Sequence, residues 1–275
     1  MLKQRLMTAS VLIPVALWLV LFAPSQVFVP AIMLIIAIAA YEWGMLCGLN
    51  KQARFIFAGF MLVILLMADI YSNHLLTLSV MGGLSALWLI VTLALVYRNS
   101  PLPAFNGIAW GALLTGSLFL TGAWLAILGL RLDSEYGPHL LMAMLLLIWI
   151  ADSGAYFAGM RFGKNKLSIH VSPGKSWEGV IGALIGAGLF GYLLSWHVYF
   201  KDIHALLLIA LSIVVVFISI GGDLYESKAK RQRGVKDSGH ILPGHGGIYD
   251  RIDSVIAAAP VFWFGLSLLK QGSGL

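Results

Sequence analysis

Leu140 to Ile150 and Ala205 to Ile220 are near-continuous apolar stretches, and the chain repeats such runs nine times with short polar segments between them. One helical crossing of a hydrocarbon core of roughly 30 Å takes about 20 apolar residues. The runs fall at about 11–23, 27–44, 55–71, 76–97, 106–130, 139–160, 177–197, 204–221 and 252–269. A membrane barrel would instead show segments of about 10 residues that alternate apolar and polar, and no such pattern is present. The expected fold is all-α and polytopic, with about nine transmembrane helices in a single integral membrane domain, 1–275. Residues 1–138 would supply the N-terminal spans, and residues 139–275 would carry the polar loops 161–176 and 222–251.

Composition closes off the soluble alternatives. The 275 residues are 60% hydrophobic and 11% charged, and the mean hydropathy is +0.90, outside the range of a water-soluble globule. The one cysteine, Cys47, leaves no internal disulfide and no cysteine-based metal site. Any metal ion would be held by oxygen or imidazole. The opening Met1 to Phe22 also resembles a signal peptide, with Lys3 and Arg5 before an apolar stretch. No small-x-small cleavage site follows Leu21, so a retained signal anchor is expected.

Lysine and arginine divide unequally between the two sets of connections. One set carries Lys3, Arg5, Lys51, Arg54, Arg98, Arg161, Lys164, Lys166, Lys175, Lys228, Lys230, Arg231, Arg233, Lys236 and Arg251. The other carries only Arg131, Lys201 and Lys270 of the 18. By the positive-inside rule the N-terminus is expected in the cytoplasm and the C-terminus outside. The net charge of +6 is then a property of the cytoplasmic face, suited to anionic headgroups and phosphates.

Charge also concentrates along the chain. Arg161 to Glu178 and Asp223 to Asp253 together hold ten of the 18 basic and six of the 12 acidic residues. Orientation explains bases such as Lys164, Lys166 and Arg233, but not the interleaved Asp223, Glu226, Asp237, Asp250 and Asp253. Alternating signs in one loop point to anionic ligands, metal ions or both. Asp152 lies inside the sixth run, where a carboxylate is costly and marks a functional site by default. Asp223 and Asp250, from two different span ends, suit Mg²⁺, which takes one or two carboxylates together with phosphate oxygens and water. Helix-end salt bridges are the alternative for the same pair. Asp253 lies three residues from Asp250, on the same helix face.

The segment Ser227 to Tyr249 mixes cations with glycines at 234, 239, 244, 246 and 247. Glycine lets amide N–H groups approach phosphate oxygens closely, while Lys and Arg supply charge. His245, between glycines, is either a phosphate donor or metal ligand, or a structural loop residue. Gly174-Lys175-Ser176 resembles the end of a nucleotide P-loop, but that motif needs glycine where Ile169 stands. Lys175 beside a helix start is still a suitable phosphate contact.

These residues resemble the phosphatidate cytidylyltransferase family, also called CDP-diacylglycerol synthases. Its signature has the form Ser-x-x-Lys-Arg-x4-Lys-Asp-x-Gly-x2-Leu-Pro-Gly-His-Gly-Gly-x2-Asp-Arg-x-Asp, and it runs unbroken from Ser227 to Asp253. Asp152-Ser-Gly-Ala-Tyr156 and Ser172 to Gly179 are similar to two further family motifs, so the resemblance covers about 140 to 255. Ala229 and Gly174 depart from it, standing where a larger apolar residue and a lysine are usual.

The resemblance implies that CTP and phosphatidic acid give CDP-diacylglycerol and pyrophosphate, and that 139–275 is the catalytic region. It implies catalytic roles for Asp152, Asp223, Lys230, Arg231, Lys236, Asp250 and Asp253, with Asp223 and Asp250 holding one or more Mg²⁺. Substrate binding is implied for Lys175, Ser176, Ser227, Lys230, Arg231, Lys236, His245 and Arg251. The expected location is a bacterial plasma membrane; no nucleic-acid partner is expected, and a homodimer is implied by the family alone. A transporter would place ionisable groups near mid-membrane in two repeats, and no repeat is visible. CDP-alcohol phosphotransferases need an Asp-x2-Asp-Gly-x2-Ala-Arg motif, which is missing. A relative acting on another lipid phosphate, such as a polyprenyl phosphate, shares the polar signature.

Overall fold

At membrane depth only a helix or a closed barrel satisfies every backbone N–H and C=O, and here the apolar runs form helices. The computed structural model describes residues 2–97, 103–132 and 136–272; Arg98, counted above, and the side chains of Lys3 and Arg5 lie outside what it describes. The helices are α1 (Leu2–Leu21), α2 (Ser25–Leu46), α3 (Lys51–Tyr71), α4 (His74–Tyr97), α5 (Trp110–Leu132), α6 (Gly137–Phe162), α7 (Trp177–Leu194), α8 (Ala205–Arg233) and α9 (Tyr249–Gly272). Eight of them, α2 to α9, are long and apolar enough to cross a membrane, and the described apolar part of α1, Ser10–Leu21, is shorter. The chain is an all-α polytopic membrane protein. Among the described residues the one small sheet is a hairpin between α6 and α7, in which β1 (Lys166–Ser168) pairs antiparallel with β2 (Ser172–Ser176).

The main departure from the expected boundaries is at α8. Its apolar run ends near 221, but the helix continues to Arg233. Contacts one turn apart carry it on: Ser227 Oγ donates to Asp223 Oδ1 at 3.1 Å, and Lys230 pairs with Glu226 at 2.8 Å. Lys230, Arg231 and Arg233 in the last turn face the negative end of the helix dipole. Gly234, at φ +67°, then terminates the helix in the left-handed conformation that glycine adopts readily. Because α9 starts at Tyr249, the connection is 234–248, shorter than the expected loop 222–251.

Small residues bring α6 and α7 close together. A Cβ at Gly154 would lie 2.7 Å from the Gly182 carbonyl oxygen, and one at Gly182 would collide with Ala158. Such interfaces suit membrane helices, which gain their association from close packing and not from exclusion of water. A buried aromatic group joins the two halves of the chain. Trp43 of α2 stacks on Tyr225 of α8 and Tyr249 of α9, with ring centroids 5.3 and 5.0 Å apart, and its Nε1 donates to the Ala112 carbonyl at 3.0 Å.

Contacts between connections gather the basic segments at one end of the bundle. Arg233 Nε donates to Leu46 O at 2.7 Å and Nη1 to Phe105 O at 2.7 Å, while Arg231 Nε donates to Val171 O at 3.3 Å. Thr8 Oγ1 of α1 reaches Pro243 O at 3.0 Å. The segments after α2, α4, α6 and α8 therefore share one end with the start of α1. Arg131 caps the opposite end, donating to Val20 O and Ala23 O, both at 2.8 Å.

Candidate active site

The charged extension of α8 and the first turn of α9 face each other across a cavity of about 510 Å³. Asp152 of α6, Asp223, Glu226 and Lys230 of α8, Asp237 of the 234–248 segment, and Asp250, Arg251 and Asp253 of α9 all line it. Six carboxylates thus meet two cations on its wall. A neighbouring space of about 250 Å³ between α6, α7 and α8 shares Asp152 and Asp223 and adds Lys175, Ser176 and Ser219.

Ion pairs pin the two lysines. Lys175 Nζ lies 2.6 Å from Asp223 Oδ2. Lys230 Nζ lies between Glu226 Oε2 at 2.8 Å and Asp250 Oδ1 at 2.7 Å, with Glu226 1% exposed. Asp250 also collects the 234–248 backbone, its Oδ2 accepting from Ser238 N at 2.9 Å and Gly247 N at 2.8 Å. Gly246, at φ +82°, is forced by this turn: a Cβ there would sit 2.8 Å from Asp250 Oδ2. Asp253 faces Asp223 and Glu226 electrostatically.

The remaining expected residues occupy supporting places. Ser176 caps α7, its Oγ accepting from Gly179 N at 3.2 Å, and so ties the Lys175 segment to the helix start. Ser227 bonds Asp223. His245 presents its carbonyl to Arg251, whose Nε and Nη2 donate to it at 3.1 and 2.7 Å, while its buried Nδ1 has no partner. Arg231 and Lys236 do not line either cavity; Arg231 braces the hairpin through Val171 O.

Three acidic residues outside the expected set belong to this arrangement, Asp237 on the cavity wall among them. Glu226 fixes Lys230 from within α8. Glu42 of α2, 2% exposed, accepts from Tyr249 N at 2.7 Å and Ser238 Oγ at 3.2 Å. A Cβ at Gly239 or Gly247 would collide with the Glu42 carboxylate. Glu42 was legible in principle, since it is a lone carboxylate in an apolar run, the signal already applied to Asp152.

The donor set suits a hard divalent cation. Carboxylate oxygens dominate the cavity, and Glu226 Oε1 is buried without a hydrogen-bond partner. Among the described residues no three His, Cys, Asp or Glu side chains are already gathered as a ligand set. The lysine pairs found on Asp223 and Asp250 correspond to the salt-bridge alternative. Mg²⁺ does not need a full protein cage, since it keeps water and takes substrate phosphate oxygens.

The chain is similar to known proteins along almost its whole length. A family model described as "Cytidylyltransferase family" matches residues 3–269. A phosphatidate cytidylyltransferase of Pseudomonas aeruginosa is 41% identical over 264 residues, covering 95% of this chain and 96% of the relative. The Haemophilus influenzae protein of the same name is 38% identical over 290 residues, at 95% and 97% coverage. That of Thermotoga maritima is 31% identical over 278 residues, at 98% and 97%. With the match running almost end to end and Lys230, Asp250, Arg251 and Asp253 of the signature collected around one cavity, this chain belongs to the cytidylyltransferase family.

Proposed function

We propose that this chain is a phosphatidate cytidylyltransferase, transferring CMP from CTP to phosphatidate with release of pyrophosphate. The observation that carries the reading is the convergence of Lys230, Asp250, Arg251 and Asp253, all from the 227–253 signature, with Asp152 and Asp223 on one cavity. The full-length similarity to proteins of that name supports the choice of lipid.

The chemistry asks little of a general base, because the lipid phosphate is already an anionic nucleophile. Its oxygen bonds to the α-phosphorus of CTP as the bond to the β-phosphate oxygen breaks and its electron pair leaves with pyrophosphate. The protein's part is positioning and charge neutralisation, as in other phosphoryl transfers. Lys230 Nζ has three N–H donors and spends two on Glu226 and Asp250, which leaves one aimed by fixed partners. Lys175 is held by Asp223 in the same way. The carboxylates thus orient the cations before substrate arrives, and such preorganisation lowers the reorganisation cost during reaction.

The carboxylate excess supports Asp223 and Asp250 as the residues that would hold Mg²⁺, with Asp152 and Asp253 organising them. Bound there, Mg²⁺ would neutralise the triphosphate and the departing pyrophosphate. The gathered basic connections support a cytoplasmic site with the N-terminus on the same side, and the bacterial relatives support a plasma-membrane location.

The deciding experiment is pyrophosphate release by purified protein given CTP, Mg²⁺ and dioleoyl phosphatidate, with each omitted in turn and the lipid product identified by mass spectrometry. Release that needs all three and yields CDP-diacylglycerol is expected. Turnover of a different lipid phosphate, with none of phosphatidate, would keep the family and overturn the substrate.

A further inference from the structure

The carboxylate cavity adjoins an apolar groove of about 230 Å³ walled by Ala16 and Leu19 of α1, Ile32 of α2, Ile127 of α5, Leu145 of α6 and Ile256 of α9. Trp149, Arg251 and Val255 line both spaces, so the polar cavity and the groove meet at a shared rim. At that rim the guanidinium is fixed in place, with Nε and Nη2 donating to the His245 carbonyl. A guanidinium carries five N–H donors, and those not used on His245 are available to an anion.

We propose that this groove takes one acyl chain of the phosphatidate, with the lipid phosphate at Arg251 and turned into the carboxylate cavity. The inference rests on the proposed function and adds where the lipid lies. A lipid phosphate has to enter polar space while its chains stay out of water, and an apolar groove joined to the polar cavity at a fixed cation meets both demands. The space between α6, α7 and α8 fits less well, because the polar Asp152, Lys175, Ser176, Ser219 and Asp223 line it and do not suit an acyl chain. The surface of α1 agrees with this division. Ile13, Val15 and Trp18 are exposed, whereas of the groove-lining residues Leu19 is half-buried and Val20 buried, so the groove deepens toward the end of α1.

The test fills the groove from two walls, with Ala16→Phe on α1 and Ile127→Trp on α5, and uses Val15→Phe, on the 52% exposed face of α1, as the control. kcat/KM is measured on the purified full-length protein in mixed micelles with dioleoyl and with dihexanoyl phosphatidate. Both fillers are expected to lose about 10-fold or more with dioleoyl phosphatidate while staying within about twofold with the dihexanoyl lipid and in KM for CTP. Val15→Phe is expected to change neither lipid's value. Equal losses with both lipids, unchanged dioleoyl turnover in both fillers, or a matching loss in Val15→Phe would overturn the assignment. A wild-type protein that makes no CDP-diacylglycerol from either lipid would instead overturn the proposed function, and the acyl assignment with it.

Discussion

Glu42 Oε2 accepts a 2.7 Å hydrogen bond from Tyr249 N, joining α2 to the first residue of α9 across 207 positions of sequence. The same oxygen accepts from Ser238 Oγ, so one carboxylate in the N-terminal half holds both ends of the segment that Asp250 anchors. Glu42→Ala removes the acceptor and leaves a buried N–H unpaired, at a cost of about 1–3 kcal/mol. The expected outcome is a lower unfolding temperature in detergent together with reduced turnover, with Glu42→Gln, which retains an acceptor oxygen, intermediate. Wild-type stability and activity in Glu42→Ala would refute the role.

Asp223 and Asp250 each fix a lysine and together supply carboxylate oxygens to the cavity. Asp223→Asn or Asp250→Asn keeps the shape but loses the charge. Pyrophosphate release is expected to fall by about 100-fold or more, with membrane insertion and detergent elution unchanged. Near-normal release from either variant would remove that aspartate from the site.

Lys230 is 12% exposed at its side chain and pairs with Glu226 and Asp250 at 1% and 7%. Removing one member of a buried ion pair strands the other's charge, at a cost of about 3–5 kcal/mol. Lys230→Met is therefore expected to lower the unfolding temperature, and adding Glu226→Gln should recover part of the loss. A double variant no more stable than Lys230→Met would show that Glu226 is not the stranded charge.

Glycine at the α6–α7 crossing sets the spacing between Asp152 and the Lys175 segment. A Cβ at Gly182 collides with Ala158, while nothing lies within 4 Å of a Cβ built on Gly83 of α4. Gly182→Val is expected to abolish folded yield and Gly83→Val to leave it unchanged, as read by monodisperse elution in detergent. Equal yields would mean that the crossing can open without cost.

Cys47, just after α2, is 1% exposed, and burial pushes its thiol up to about 12, with the nearby Arg233 opposing the shift. The thiolate is the reactive form, so at neutral pH the folded protein should resist maleimide. The folded-state value is raised above that of an exposed thiol, so labelling should stay slow until unfolding or until the pH approaches that value. Rapid labelling of active protein at pH 7 would contradict the packing of the α2–α3 connection.

Hydropathy made the membrane helices legible because the bilayer demands a fixed apolar length and internally satisfied backbone from each crossing. It misplaced the end of α8, because a hydropathy window stops at Asp223, whereas the helix is carried on by pairs one turn apart such as Glu226 and Lys230. The signature marked most of the charged residues on the cavity wall, but Arg231 and Lys236, charged and in the same segment, fall outside it. Their spacing along the chain says nothing of which way the extended helix and the following loop turn them.

The amino-acid sequence alone fixed the class of fold, the gathering of basic residues on alternate connections, and the family to which the polar segments belong, because each depends on local composition or on a contiguous motif. Only the tertiary structure decided that Glu42 would hold the start of α9, that Lys175 and Lys230 would each be held by an aspartate, and that Arg251 would stand where an apolar groove meets the carboxylate cavity. Those relationships join side chains from helices far apart in the chain. They are set by how closely small residues let α6, α7 and α8 approach and by where α8 stops, which no run of neighbouring residues encodes by itself.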